Sequence, residues 1–251
     1  MQIQLIRNAT LKIYLNDRLI LVDPMLGPKG CIESFGGIER NPTVELPYTT
    51  EEILEGVDFV LLTHLHADHW DEEAVALVDK GMPIFCQPGD QGRIEDQGFT
   101  RVSPIEEHTS FEGINIYRTE AQHGSGKILE HMGKASGYVL DSSDEPTVYI
   151  VGDSILTENV RTNVDRFQPE IVIANLGGAI IPGFESENII MDAADAALLA
   201  EYIFPYLLIG VHLEALDHCK VSREEIELIG EIGDDKNIFV PYDGDIMDFE
   251  L

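Results

Sequence analysis

Apolar and polar positions in the first two dozen residues alternate with a period of two. "MQIQLIRNATLKIYLNDRLILVDP" alternates around a central Asn16-Asp17-Arg18 turn and predicts a β-hairpin. Residues 25–52 are punctuated by Gly and Pro and predict one long loop, of a length that more often serves function than connection. From Val57 the pattern changes to short apolar runs between polar segments. Val57 to Leu62 reads as a buried strand, and 71–80 as a helix with acidic residues in its first turn and Gly81 past its end. Strands are expected at 82–87, 114–121, 170–178, 206–214 and 237–245. A hairpin is expected from 137–141 and 147–153 around "SSDEP". Helices are expected at 89–97, 191–203 and 222–233, the last opening with a Ser222/Glu225 capping box. The 191–203 helix is apolar around most of its circumference, which predicts deep burial. Early hairpins followed by strands alternating with helices predict an α/β (α+β) fold. Its mixed sheets would be covered by helices on their outer faces, within one domain spanning 1–251.

Charge narrows the partners. Sixteen Lys and Arg against forty-six Asp and Glu give a net charge of −30. Such a surface repels nucleic acid and anionic membrane, because both are bound chiefly through basic side chains at phosphates. A small-molecule substrate is therefore the expected partner, and a homo-oligomer is compatible with this composition. Cys31, Cys86 and Cys219 are odd in number and widely spaced, which argues against a disulfide framework and for a reducing cytoplasm. The N-terminus lacks a basic segment followed by an apolar one, and no run approaches the length of a membrane span.

The chemistry concentrates in "LLTHLHADHW", residues 61–70. Three of the chain's eight histidines and an aspartate fall within six positions. The stretch connects a predicted strand to a predicted helix, where side chains converge. Imidazole and carboxylate suit Zn, Mn or Fe without a thiolate. His64 and His66 alternate in an extended segment and so point the same way, toward one ion, with Asp68 and His69 turning toward a second. Each ion needs further ligands. His123, Asp153 and His212 are available, each at or just beyond the end of an apolar strand, as His64 is. Seven ligands with one bridging carboxylate would serve two ions roughly 3.5–4 Å apart, with a water between them to activate. A lone histidine such as His108 reads instead as an ordinary hydrogen-bonding residue. His131 and His218 sit in loop-like contexts after candidate ligands, where either would face a cleft in a substrate or acid role. Cys219 reads as a buried thiol, Trp70 as sheet-edge packing, and Asp23 before Pro24 as a turn residue.

With these residues in view, "THLHADHW" and the distant His123, Asp153 and His212 resemble the metallo-β-lactamase fold hydrolases over nearly the whole chain. The resemblance implies a four-layer αβ/βα sandwich with a dinuclear site at the sheet edges. It implies that His64, His66 and His123 hold the first ion, that Asp68, His69 and His212 hold the second, and that Asp153 bridges them. It also implies that Asp23 lies near the metals and fixes a histidine tautomer. "DPMLGPKG", "NPTVELP", "YIVGDS" and "VHLEALDHC" look closest to the L-ascorbate-6-phosphate lactonase-like branch. The expected activity is attack by a metal-bridging hydroxide, oriented by Asp68, on a lactone or carboxylic ester of a small metabolite, phosphorylated or not. A small-molecule phosphodiesterase is the alternative, and an iron-dependent redox protein the second. Zn or Mn is the expected metal, with Fe admissible.

Overall fold

In the computed structural model, which describes residues 1–232 and 237–249, the apolar runs pair into two mixed sheets of seven strands each. The first sheet begins with β1 (Gln2–Arg7), β2 (Thr10–Leu15) and β3 (Arg18–Val22) in antiparallel succession. The turn joining β2 to β3 has Asn16 and Asp17 both at positive φ, 50° and 58°, which gives a hairpin turn its required hand. The sequence pattern predicts one hairpin here; the structure has two, because Asn8 at φ 60° supplies a second turn without glycine.

The predicted long loop runs to α1 (Thr50–Leu54), a short helix fixed by a Thr49/Glu52 capping box. β4 (Phe59–Leu61) then adds parallel to β3, β5 (Ile84–Cys86) to β4, and β6 (Val102–Pro104) to β5, with α2 (Glu72–Leu77) and α3 (Gln91–Asp96) between them. In the second sheet, β7 (His108–Phe111), β8 (Ile114–Ala121), β9 (Ala135–Asp141) and β10 (Val148–Ile150) pair antiparallel, with the one-turn α4 (Leu129–Met132) between β8 and β9. The predicted "SSDEP" hairpin is the β9–β10 pair. β11 (Ile171–Asn175), β12 (Leu207–Val211) and β13 (Ile238–Phe239) continue in parallel, each crossing over through a helix: α5 (Glu158–Phe167), α6 (Ala193–Ile203) and α7 (Arg223–Ile232). The pattern did not predict α5 or β7. Of the predicted closing strand at 237–245 only β13 forms, ending before Pro241, and beyond that span the chain returns to the first sheet as an unpredicted β14 (Ile246–Asp248) against β1. The final residue of the predicted 222–233 helix lies outside the described residues, while its Ser222/Glu225 capping box is formed.

Period-two geometry makes each central strand apolar on both faces. Phe59 and Leu61 point inward with Ile3, Ile13 and Phe85 to meet Ile116, Leu140, Ile173 and Ile209 of the facing sheet. Val60 and Leu62 point outward under α2 and α3, packing with Trp70, Ala74 and Ile94. On the far side Tyr149, Val172 and Leu208 pack under α5, α6 and α7 through Val160, Leu199 and Ile226. The layers are helices, sheet, sheet, helices: an α/β sandwich. α6 buries Ala196, Leu199, Ala200 and Ile203, but leaves Leu198 half exposed, so its second apolar face is not in the core as the pattern predicts. No helix among the described residues is long and apolar enough to cross a membrane.

Candidate metal centre

The candidate ligands leave both sheets at one rim. His64, His66, Asp68 and His69 follow β4, His123 follows β8, Asp153 follows β10, and His212 directly follows β12. Among them all but the half-buried His66 are buried. Their ligand atoms gather into two adjoining groups, His64, His66 and His123 in one, and Asp68, His69, Asp153 and His212 in the other, each within 4.8 Å.

Asp153 stands between the groups. Its Oδ2 lies 3.2 Å from His123 Nε2, 3.3 Å from His69 Nε2 and 3.8 Å from His64 Nε2, while its Oδ1 is 3.8 Å from His212 Nε2. Gly152 delivers it from a backbone at φ 72°, where a Cβ would also stand 2.5 Å from the Ser136 carbonyl. Asp68 Oδ2 reaches only the second group, 3.1 Å from His212 Nε2 and 3.4 Å from His69 Nε2.

Hydrogen bonds behind the rings decide which nitrogens face the centre. Asp23 Oδ2 accepts from His69 Nδ1 at 2.8 Å and from the Thr63 hydroxyl at 2.6 Å. The single Thr63 hydroxyl proton is thereby used, so Thr63 Oγ1 accepts from His64 Nδ1 at 3.1 Å. One carboxylate sets the tautomer of two rings in different groups. His123 Nδ1 donates to the Ile189 carbonyl at 2.8 Å, and His212 Nδ1 meets Cys219 Sγ at 3.6 Å. The Nε2 atoms of His64 and His69 are left buried with no hydrogen-bond partner among the described residues. Buried imidazole lone pairs without donors are costly, and aimed at two carboxylates they form a cation site.

The electrostatics agree. Burial pulls the His69 and His212 imidazoles down, but Asp153 and Asp68 outweigh it, holding His69 well above its ordinary value and His212 up to about 10. Asp68 and Asp153 remain well below the usual carboxylate range despite complete burial, because these imidazoles surround them. Burial and neighbouring His69 push His64 down. The field is negative enough to retain protons on two buried rings, and divalent cations would replace those protons.

A cavity of about 230 Å³ opens on this cluster. His66, Asp68, His123, Asp153 and His212 form its floor, and Phe35, Met132, Ala179, Ile181, Ile189 and Ile190 form its walls, with His218 beside them. Burial pushes the His218 imidazole down to about 4, so it is neutral at neutral pH.

The profile of the beta-lactamase superfamily domain matches residues 18–213. The chain is 35% identical to UPF0173 protein YddR of Bacillus subtilis, across 99% of this chain and all of that one. A UPF0173 metal-dependent hydrolase of Methanosphaera stadtmanae is 24% identical over 95% of this chain and 93% of its own length. The chain belongs to the UPF0173 metal-dependent hydrolases of the β-lactamase superfamily. Among solved structures, an isothiocyanate hydrolase from Delia radicum gut bacteria superposes with a TM-score of 0.92 at 35% identity, covering 100% of this chain and 99% of that one.

In this UPF0173 chain His131 does not join the cluster, contrary to the expectation that it faces the cleft. It is exposed on α4 with its ring 5.7 Å from Phe184, and the adjacent Met132 lines the cavity instead. His218 does line it. Trp70 packs against Phe99 and donates to Gln97 at 2.8 Å, buried on the sheet's outer face under α2 and α3 rather than at its edge. Sequence reasoning missed Asn175, the last residue of β11, which donates to Asp153 Oδ1 at 2.5 Å. It also missed Asn8, whose carbonyl accepts from His212 N at 2.9 Å and whose amide donates to the Asp68 carbonyl at 3.1 Å. Asn8, Asp23 and His212 all have positive φ, at 60°, 44° and 61°. Such backbone is rare outside glycine and gathers where geometry is imposed on a site.

Proposed function

We propose that the chain hydrolyses a small, uncharged electrophile at a two-ion centre, with isothiocyanates as the first substrate class and lactones or carboxylic esters as the second. The observation that carries this reading is the cavity: its floor is the candidate ligand set, its walls are apolar, and among the described residues no Lys or Arg lines it. A phosphorylated metabolite or phosphodiester would find no basic side chain there, which ranks the phosphodiesterase alternative lower. An isothiocyanate presents an electrophilic carbon on an apolar group, which suits that shape, and the full-length relative of that activity supports the class. Water adds to the central carbon, and the thiocarbamic acid formed divides into amine and carbonyl sulfide.

The donor set fits two divalent ions. His64, His66 and His123 would hold one, Asp68, His69 and His212 the other, and Asp153 both. Bound there, they supply the Lewis acidity that makes water a nucleophile at neutral pH. Asp68 lies at the cavity floor with Oδ2 toward the second group, placed to orient the attacking water and accept its proton. Neutral His218 serves as a hydrogen-bond partner to the substrate rather than as a general acid.

The test is a substrate panel on protein reconstituted with Zn or Mn: phenethyl isothiocyanate, a γ-lactone, 4-nitrophenyl acetate and bis(4-nitrophenyl) phosphate. The expected order is isothiocyanate, then lactone or ester, then phosphodiester. Turnover of the phosphodiester alone overturns the reading.

A further inference from the structure

Asp217 sits one residue before His218 and gathers a distant loop. Its carboxylate accepts from the backbone amides of Phe35 and Gly36 at 3.0 and 2.9 Å, and of Ile38 and Glu39 at 3.0 and 3.3 Å. It also accepts from the Ser34 hydroxyl at 2.5 Å and from Asn41 Nδ2 at 2.9 Å. Asn41 returns the contact by accepting from Asp217 N at 2.8 Å. These donors hold Asp217 far below the ordinary carboxylate range, burial notwithstanding. The loop coils so tightly that a Cβ on Gly36 would stand 2.9 Å from the Asp217 carbonyl oxygen.

The product of this coil is the placement of one ring. Phe35 meets His218 edge-on, 5.1 Å between centroids, and both line the cavity over the ligand cluster. His218 is only 4% exposed, and its Nδ1 is buried with no hydrogen-bond partner among the described residues. The ring nevertheless lines the cavity beside the ligand cluster, so its cavity-facing edge is open to what enters.

We infer that Asp217 is a positioning residue that builds the substrate-facing wall. It fixes residues 34–41 against His218, so that Phe35 limits the size of the apolar group admitted and the His218 imidazole contacts the polar part of the substrate. This rests on the two-ion hydrolase reading above, and deepens it by naming what selects the substrate. Loops often carry specificity while the sheets carry chemistry, and here one carboxylate ties the two together.

The experiment reads the wall without turnover. Hydroxamic acids chelate metal centres through a common head group, so acetohydroxamate and 2-naphthohydroxamate differ only in what meets the wall. Their dissociation constants would be measured by thermal shift on the metal-loaded wild type, Phe35→Ala and Asp217→Asn. Preference for the naphthyl over the methyl compound should rise about tenfold in both variants, the scale of a modest pocket change. Hydrogen exchange of the 35–39 amides should quicken at least tenfold in Asp217→Asn, with metal content unchanged. An unchanged size preference in Phe35→Ala, or unchanged exchange in Asp217→Asn, overturns the inference. Should the substrate panel fail while this size dependence appears, the proposed activity falls and the wall assignment stands. Phe35→Ala leaves Asp217 intact, so it decides the question even where Asp217→Asn does not fold.

Discussion

Asp23 Oδ2 and His69 Nδ1 are 2.8 Å apart across 46 residues of sequence. The contact ties the end of β3 to the histidine motif after β4, and through Thr63 it reaches His64 as well. The motif is therefore aligned by a residue outside it. Asp23→Asn should weaken binding at both ions, by the ten- to hundredfold usual for partners of metal ligands. Competition with a chromogenic chelator measures it. Wild-type affinity at both sites in that variant would remove Asp23 from the design.

Asp153 is the ligand candidate within 3.8 Å of imidazoles from both groups. Wild-type protein purified without chelator should carry close to two divalent ions, Zn or Mn, by elemental analysis. In Asp153→Asn an amide replaces the charge that offsets two cations. Metal content should fall to one ion or fewer, with turnover down at least a hundredfold while the far-ultraviolet circular dichroism is retained. Two retained ions with nearly full activity would show that Asp153 is not shared.

The legible part of this molecule is the part whose chemistry is local. H-x-H-x-D-H shows itself because its ligands lie within one turn of chain, and His123, Asp153 and His212 show themselves because each ends an apolar run. Asn175 and Asn8 carry no comparable mark: their roles consist of contacts to Asp153 and His212 that exist only after the sheets assemble. The Asp217 latch spans about 180 positions, so the loop at 25–52 reads as punctuation alone. His131 was misplaced because a one-turn helix ending at Gly133, φ 75°, turns it outward and Met132 inward. In the fold, paired sheets and most helices follow from periodicity. Periodicity leaves α5 unmarked although Thr157 caps it, and the closing strand shortens to β13 because Pro241 cannot donate to a ladder.

His218 should imprint itself on acid stability. Its folded value of about 4 lies below the ordinary 6.5, chiefly through burial. The unfolded chain therefore binds a proton below pH 6.5 that the folded chain refuses. Stability from this residue is complete above pH 6.5, falls as pH drops toward 4, and changes no further below. The difference, 6.5 − 4 at about 1.4 kcal/mol per unit, is about 3.5 kcal/mol, most of it lost by pH 4. Urea unfolding of metal-free protein should show wild type losing roughly that much more than His218→Leu between pH 7 and pH 4. Parallel losses in the two proteins would place the shift elsewhere.

Gly177 offers a test of how rigidly His212 is held. A Cβ there would collide with the His212 carbonyl oxygen and stand 2.7 Å from Cys219 Sγ, the atom that meets His212 Nδ1. His212 cannot retreat easily, since its amide donates to Asn8 and its φ is already 61°. Gly177→Ala should therefore cost about 1–3 kcal/mol of stability, the range of overpacked interiors, and should weaken the second ion through its displaced ligand. Gly92 is the control. It lies on the exposed face of α3, where an added Cβ would meet nothing within 4 Å, so Gly92→Ala should add up to about 1 kcal/mol by restricting the unfolded chain. Melting temperatures with and without metal separate the two effects. Gly177→Ala should narrow the gap between loaded and stripped protein, whereas Gly92→Ala should raise both curves equally. An unchanged gap in Gly177→Ala would mean that the turn after β12 yields, and that His212 keeps its place by its ring contacts alone.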